Sequence, residues 1–241
     1  MIDYLTNIIT ILSITGIILT SIAIPPPPFV ALLNSAALLG WFIILAFLIQ
    51  TYFFTSQSHY AWSNDESNET IPFSTIQNLT LSLEYIAFVE VLRIYRKQLG
   101  GNFVLGIVLH CIRTGLMVLG VPRLLQLDDT TFWIAMILAS WSITEVSRYP
   151  MYLISSSKVI RLVRMLVPVV TFPIGAGSEA YVSYLLLTSG GGGDGMLEWI
   201  AKIVFGSTLL INTMLGPSMA YPAIVKKALK ELSGKKSTKK N

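Results

Sequence analysis

The sequence predicts an all-α fold: a polytopic membrane helical bundle of six core transmembrane helices, with an extra N-terminal hydrophobic helix in front of them. Three observations predict it. Hydrophobic residues make up 53% of the 241 positions and charged residues only 12%, against roughly 25% charged in a soluble domain. Apolar runs of the length needed to cross a bilayer core, about 20 residues, recur near 5–24, 29–54, 75–94, 103–121, 131–154, 162–188 and 197–222. The remaining charges are sorted by loop, with cations and anions in alternate connections.

The run at 5–24 has the length of a span, and its flank Met1-Ile2-Asp3-Tyr4 lacks the cationic start of a secretory signal. It reads as an additional membrane helix in preference to a cleaved signal, with the N-terminus in the lumen. Pro25 to Pro28 form a stiff polyproline break. The chain therefore divides into an N-terminal hydrophobic segment with its Pro-rich break at 1–28, a transmembrane domain at 29–225 and a Lys-rich tail at 226–241. The third and fifth runs are the most polar. A helix carrying Gln77, Asn78, Ser82 and Glu84 cannot face lipid all round, so its polar side should look into the bundle or a wet cavity.

Arg93, Arg96 and Lys97 follow the third run, Arg148, Lys158 and Arg161 the fifth, and the Lys-rich tail the seventh. The opposite loops hold Asp65, Glu66 and Glu69, then Asp128 and Asp129, then a Gly-rich stretch. Positive-inside bias puts the basic loops and the C-terminus in the cytosol. The triplet Asn68-Glu69-Thr70 is a glycosylation sequon on the side assigned to the lumen. A net charge of +4 carried largely by Lys226 to Lys240 marks a flank touching anionic membrane lipids, not a nucleic-acid site. The single cysteine, Cys111, excludes a disulfide framework, and no pattern suggests a metal, a nucleotide or another cofactor. No internal repeat of the kind many transporters show is evident.

Three polar clusters lie inside the runs: Glu84 with Glu90, residues 141–149 (WSITEVSRY), and residues 172–179 (FPIGAGSE). Ionisable groups at membrane depth pair with each other, line a pathway or serve a site. Glu145 and Arg148, three apart, share a helix face and are expected to pair or to meet substrate. Arg113 is expected to neutralise a carboxylate across the bundle or bind an acidic group, and His110 reads as a satisfied helix residue. Glu179 follows a proline and two glycines that loosen the helix and allow close approach. It is the candidate acid or base. Phe172, two turns earlier, faces the same side about 10 Å away along the axis.

Residues 141–152, WSITEVSRYPMY, and 163–179, VRMLVPVVTFPIGAGSE, resemble motifs of the membrane-bound very-long-chain (3R)-3-hydroxyacyl-CoA dehydratases, also called protein-tyrosine-phosphatase-like proteins. Weaker echoes are Asn34 with Gly40-Trp41, Phe88-Val89-Glu90, and Arg113; together they cover about residues 29–225. The resemblance implies an enzyme of the fatty-acid elongation cycle in the endoplasmic reticulum that removes water to leave a trans-2-enoyl-CoA. It implies no cofactor, and as partners the 3-hydroxyacyl-CoA substrate, membrane lipids and other elongation enzymes. It implies that Glu179 is catalytic and that Phe172 stands in the place of a catalytic Tyr, with Met165 and His110 as further departures. A phenyl ring cannot transfer a proton, so another hydroxyl (Tyr149, Tyr181 or Tyr184) is expected to take that role. The alternative is a catalytically silent relative that binds acyl-CoA or elongase subunits. Arg113, Glu145, Arg148, Tyr149 and Arg164 are the expected substrate-binding residues, and Arg148, Lys158, Arg161 and Arg164 the expected cations for CoA phosphates.

Overall fold

A computed structural model describes residues 2–51, 73–127, 130–154, 156–189 and 195–233. The sequon at Asn68, the aspartates at 128 and 129, the glycine run at 190–193 and the lysines from 235 onward lie outside the described residues. Within them the chain is helical and without strands: α1 (Ile2–Ile22), α2 (Pro27–Ile49), α3 (Phe73–Tyr95), α4 (Phe103–Leu124), α5 (Thr131–Leu153), α6 (Lys158–Thr188) and α7 (Met196–Leu232). Five of these, α1, α2, α4, α6 and α7, are long and apolar enough to cross a membrane. The two that are not, α3 and α5, hold the third and fifth apolar runs, the most polar of the seven. The protein is a multi-pass membrane bundle.

Local chemistry explains where the helices begin. Pro26 is extended, at φ −63° and ψ 145°, and Pro27 opens α2 at a position whose N–H would have no helical partner. Asn102 caps α4 by accepting from the Leu105 N–H at 3.2 Å, and Ser157 caps α6 by accepting from Ile160 at 3.4 Å. Pro168 and Pro173 lie within α6, Pro122 within α4, and Pro217 and Pro222 within α7. Near the last two sets the turns widen: Leu116–Gly120 and Ile211–Ala220 are π-helical. Such turns accommodate missing backbone donors and often accompany sites.

Contacts across the bundle establish the alternation. Thr75 Oγ1 donates to Asp3 at 3.3 Å at one end, and Arg96 donates to the Ser21 carbonyl at 2.6 Å at the other. Arg123 pairs with Glu198 at 2.8 Å at the first end. The described lysines and arginines at 96–97, 158–161 and 226–230 thus gather at the end opposite Asp3 and Glu198. Helix α1 packs on α3, α2 on α5 and α3, α6 on α5, and α7 on α6. The core between them is built from Ile9, Trp41, Ile44, Leu79, Leu83, Leu116, Met117, Leu138 and Trp141. Gly40 permits the α2 to α3 approach, because a Cβ there would lie 2.7 Å from Leu83. Helix α1 belongs to this core: Ser13 donates to the Ser82 carbonyl at 3.2 Å, and Thr10 meets the Ser82 hydroxyl at 2.6 Å.

Candidate active site

Helices α4, α5, α6 and α7 enclose a cavity of about 980 Å³. Glu179 and Phe172 both line it, as do Arg113, Ser140, Trp141, Thr171 and Asn212. Glu179 is partly buried and held at both oxygens: Trp141 Nε1 donates to Oε1 at 2.7 Å and Asn212 Nδ2 donates to Oε2 at 2.8 Å. Two N–H donors that cannot ionise fix the carboxyl plane and support negative charge on it. Three hydroxyl groups also line the cavity wall: Ser140, Thr144 and Thr171, the last two joined Oγ1 to Oγ1 at 2.8 Å. Gly175 lets α6 approach that wall, since a Cβ there would meet Ser140 Cβ at 3.0 Å.

The Phe172 ring stacks on Tyr221 with centroids 6.0 Å apart and planes at 16°. Its Cζ lies 3.2 Å from the point a Gly216 Cβ would occupy, so the missing side chain of Gly216 makes the slot for the ring tip. Aromatic carbon therefore fills the position, with the Tyr221 ring behind it.

A second polar assembly lies behind the cavity wall. Glu145, 3% exposed, receives Arg113 Nη1 on Oε1 at 2.9 Å and Arg148 Nη2 against Oε2 at 2.7 Å. Arg113 also reaches Glu84 at 3.3 Å, and Arg148 reaches Glu90 at 3.2 Å. His110 Nδ1 is 3.5 Å from Glu84, and its ring stacks on Phe88 at 5.0 Å. Three carboxylates and two guanidiniums thus alternate along one line, which offsets the cost of burying each charge. Arg113 joins this line to the site, since its guanidinium lies 5.0 Å over the Trp141 ring that hydrogen-bonds Glu179.

The residues picked from sequence therefore fall into three groups. Glu179, Phe172 and Arg113 face the cavity. Glu145, Arg148 and Tyr149 do not line it: the first two are consumed by the ion-pair line, and Tyr149, fully buried, receives Arg148 Nη2 at 3.1 Å. Arg164 does not line it either. Its Nη1 meets Met151 Sδ at 2.9 Å and its guanidinium lies 5.4 Å over Tyr152. Nor do Tyr181 and Tyr184 line the cavity; Tyr181 instead packs on Trp133, with ring centroids 4.5 Å apart. Lys158 and Arg161 are not among the lining residues, whereas Lys227 is.

Trp141, Asn212 and Lys227 line the cavity with no site role assigned from sequence, as do Ser140, Thr144 and Thr171. Trp141 sits inside the best-conditioned motif but reads there as bulk. Asn212 is a lone amide in an apolar run, and the rule that flagged Glu179, that polar groups at membrane depth have work to do, applies equally to it. Lys227 reads as one more tail charge until α7 is seen to continue as helix to Leu232.

A family model described as "Protein tyrosine phosphatase-like protein, PTPLA" matches residues 84–228. No curated protein and no solved structure matches the chain. The matched stretch contains every cavity-lining residue.

Proposed function

Since the chain belongs to the protein tyrosine phosphatase-like family, PTPLA, which is that of the very-long-chain 3-hydroxyacyl-CoA dehydratases, we propose that it removes water from a (3R)-3-hydroxyacyl-CoA to give the trans-2-enoyl-CoA of the fatty-acid elongation cycle. The observation that carries this reading is Glu179, clamped by Trp141 and Asn212 on the wall of a cavity about 980 Å³ in volume. In the reaction the C2–H bond breaks, its electron pair forms the C2=C3 double bond, and the C3–O bond breaks to release hydroxide. Glu179 takes the C2 proton, because a carboxylate fixed at both oxygens is a positioned base. The departing hydroxide collects a proton from the hydroxyl wall of Thr171, Thr144 and Ser140, where Phe172 offers none. That wall then recovers the proton from Glu179, so the sum is substrate to enoyl thioester plus water.

The CoA head is assigned to the end of the cavity lined by Asn102 and Lys227, where the described basic residues gather. Positive-inside bias makes that end cytosolic, with the C-terminus, and the reading places the protein in the endoplasmic reticulum membrane beside other enzymes of the cycle. One observation favours a second reading, a silent relative that only binds acyl-CoA: Phe172 supplies no exchangeable proton.

Purified protein in detergent, given a trans-2-enoyl-CoA and followed for hydration, tests both. The dehydratase reading expects turnover that Glu179→Gln lowers at least a hundredfold. An inert native protein that gains activity on Phe172→Tyr establishes the silent relative instead. Turnover that ignores the Glu179 substitution removes this carboxylate from the mechanism.

A further inference from the structure

The cavity has a closed end and an open side, and the two differ in chemistry. Helices α4 and α7 meet near Gly115, where a Cβ would lie 2.7 Å from Val204 Cγ1. From there toward Asn102 and Lys227 the cavity itself separates them. Along α4 the lining residues Val104, Leu105 and Leu109 are 67%, 54% and 46% exposed, Val108 is half-buried, and Ile112, nearer Gly115, is 6% exposed. On α7, Met219 is 68% and Leu215 48% exposed. A residue that lines a cavity and is also exposed stands on its rim, and apart from Asn102 and Lys227 at the far end this rim is aliphatic or thioether. It lies along two helices apolar enough to cross a membrane, so the medium outside it is hydrocarbon. The polar groups, Glu179, Asn212, Arg113 and Thr171, are withdrawn to the closed end and back wall.

Resting on the acyl-CoA reading above, we propose that the slit between α4 and α7 is the passage for the substrate's acyl tail. The first carbons after the thioester sit at Glu179, and the rest of the chain runs between Leu109 and Leu215 into the bilayer. Two features select a long aliphatic chain as the occupant. The rim residues offer no hydrogen-bond partner along the slit, so a polar guest would lose its hydration without compensation. A cavity of about 980 Å³ also encloses only a drug-sized ligand. A CoA thioester with a very long tail exceeds that, and some of it must lie outside. With the tail in lipid, no wall meets its far end and the methylenes never leave an apolar medium. Chain length beyond the slit is therefore not measured by this protein.

Photo-crosslinking of the full chain in lipid nanodiscs tests the route with two acyl-CoA probes whose chain is just long enough to end within the slit, one carrying a diazirine at the chain end and one carrying it beside the thioester. The chain-end probe is expected to label rim positions of α4 and α7 around Leu109 and Leu215, and the other to label α6 around Thr171 to Gly175. Excess unlabelled long-chain acyl-CoA should suppress both signals at least tenfold. Leu109→Trp together with Leu215→Trp should weaken competition by a long-chain acyl-CoA about tenfold more than competition by a four-carbon one. Chain-end labelling confined to the α5 and α6 wall overturns the lateral route while leaving acyl-CoA binding intact. Failure of both probes to label competitably removes acyl-CoA binding itself, and the route with it.

Discussion

Two polar assemblies lie inside this bundle, and they differ in what their charges face. The line Glu84, Arg113, Glu145, Arg148, Glu90 is turned inward, each charge meeting another within 3.3 Å. Glu179, by contrast, meets only neutral donors and opens on a cavity. Buried ion pairs of the first kind hold helices together and leave nothing over for a ligand. A carboxylate held by neutral donors beside empty space keeps its charge available to a reacting group. The lesson is that an ionisable residue in a membrane helix marks a site only when its neighbours leave it a free direction. Arg113 belongs to both assemblies and shows that the boundary between them is a single side chain thick.

Substitutions on either side of this boundary should separate stability from activity. The largest effect is expected at Glu145. Glu145→Ala removes the carboxylate that Arg113 and Arg148 share, leaving each with one longer pair, to Glu84 and to Glu90, at a cost of about 3–5 kcal/mol, visible as a large fall in the unfolding temperature in detergent; a small shift would show that the line is not what joins α3, α4 and α5. Next comes the site. Asn212→Leu removes the donor to Glu179 Oε2 and is expected to cost at least tenfold in turnover, with about 1–3 kcal/mol of interaction lost, while acyl-CoA affinity changes little. Equal losses in affinity and turnover would make Asn212 a binding residue and not a clamp. The smallest effect is reserved for Arg164→Gln. It removes one cation–π contact worth about 0.5–1 kcal/mol and should leave the affinity for acyl-CoA, and its salt dependence, as in the native protein.

Much of the fold is legible in the sequence because a bilayer imposes a length. The runs read at 75–94, 103–121 and 131–154 fall on helices at Phe73–Tyr95, Phe103–Leu124 and Thr131–Leu153. Hydropathy misreads the ends where a helix outlives its apolar run. The seventh run fades at 222, yet α7 continues to Leu232, because lysines propagate a helix well and their stems tolerate an apolar wall. The boundary drawn between 225 and 226 thus falls inside one helix, and Lys227 on that helix reaches the cavity. For the site, Glu179, Phe172 and Arg113 were accessible from residue type and spacing. Glu145 and Arg148 form the pair that is one of their two expected roles, and with Arg164 they stand off the cavity lining for a physical reason: sequence gives the helix face of a charge but not whether a partner on another helix has already taken it.

The widened turns at Ile211–Ala220 carry a consequence for how length changes are tolerated. The cavity is lined at 212, 216, 220 and 224, a spacing of four, which an ordinary α-helix would carry around its circumference by about 40° per step. Turns of more than four residues rotate the stripe back, so Asn212, Gly216, Ala220 and Ile224 fall in one column, and Lys227 lies in the adjoining column of Ile211, Leu215, Met219 and Ala223. Deleting a single residue from this stretch would leave hydropathy unchanged yet swing one half of α7 by about 100° against the other. Either Asn212 would then turn away from Glu179 or Lys227 from the mouth, so a relative with a gap here should be expected to have lost one end of its ligand.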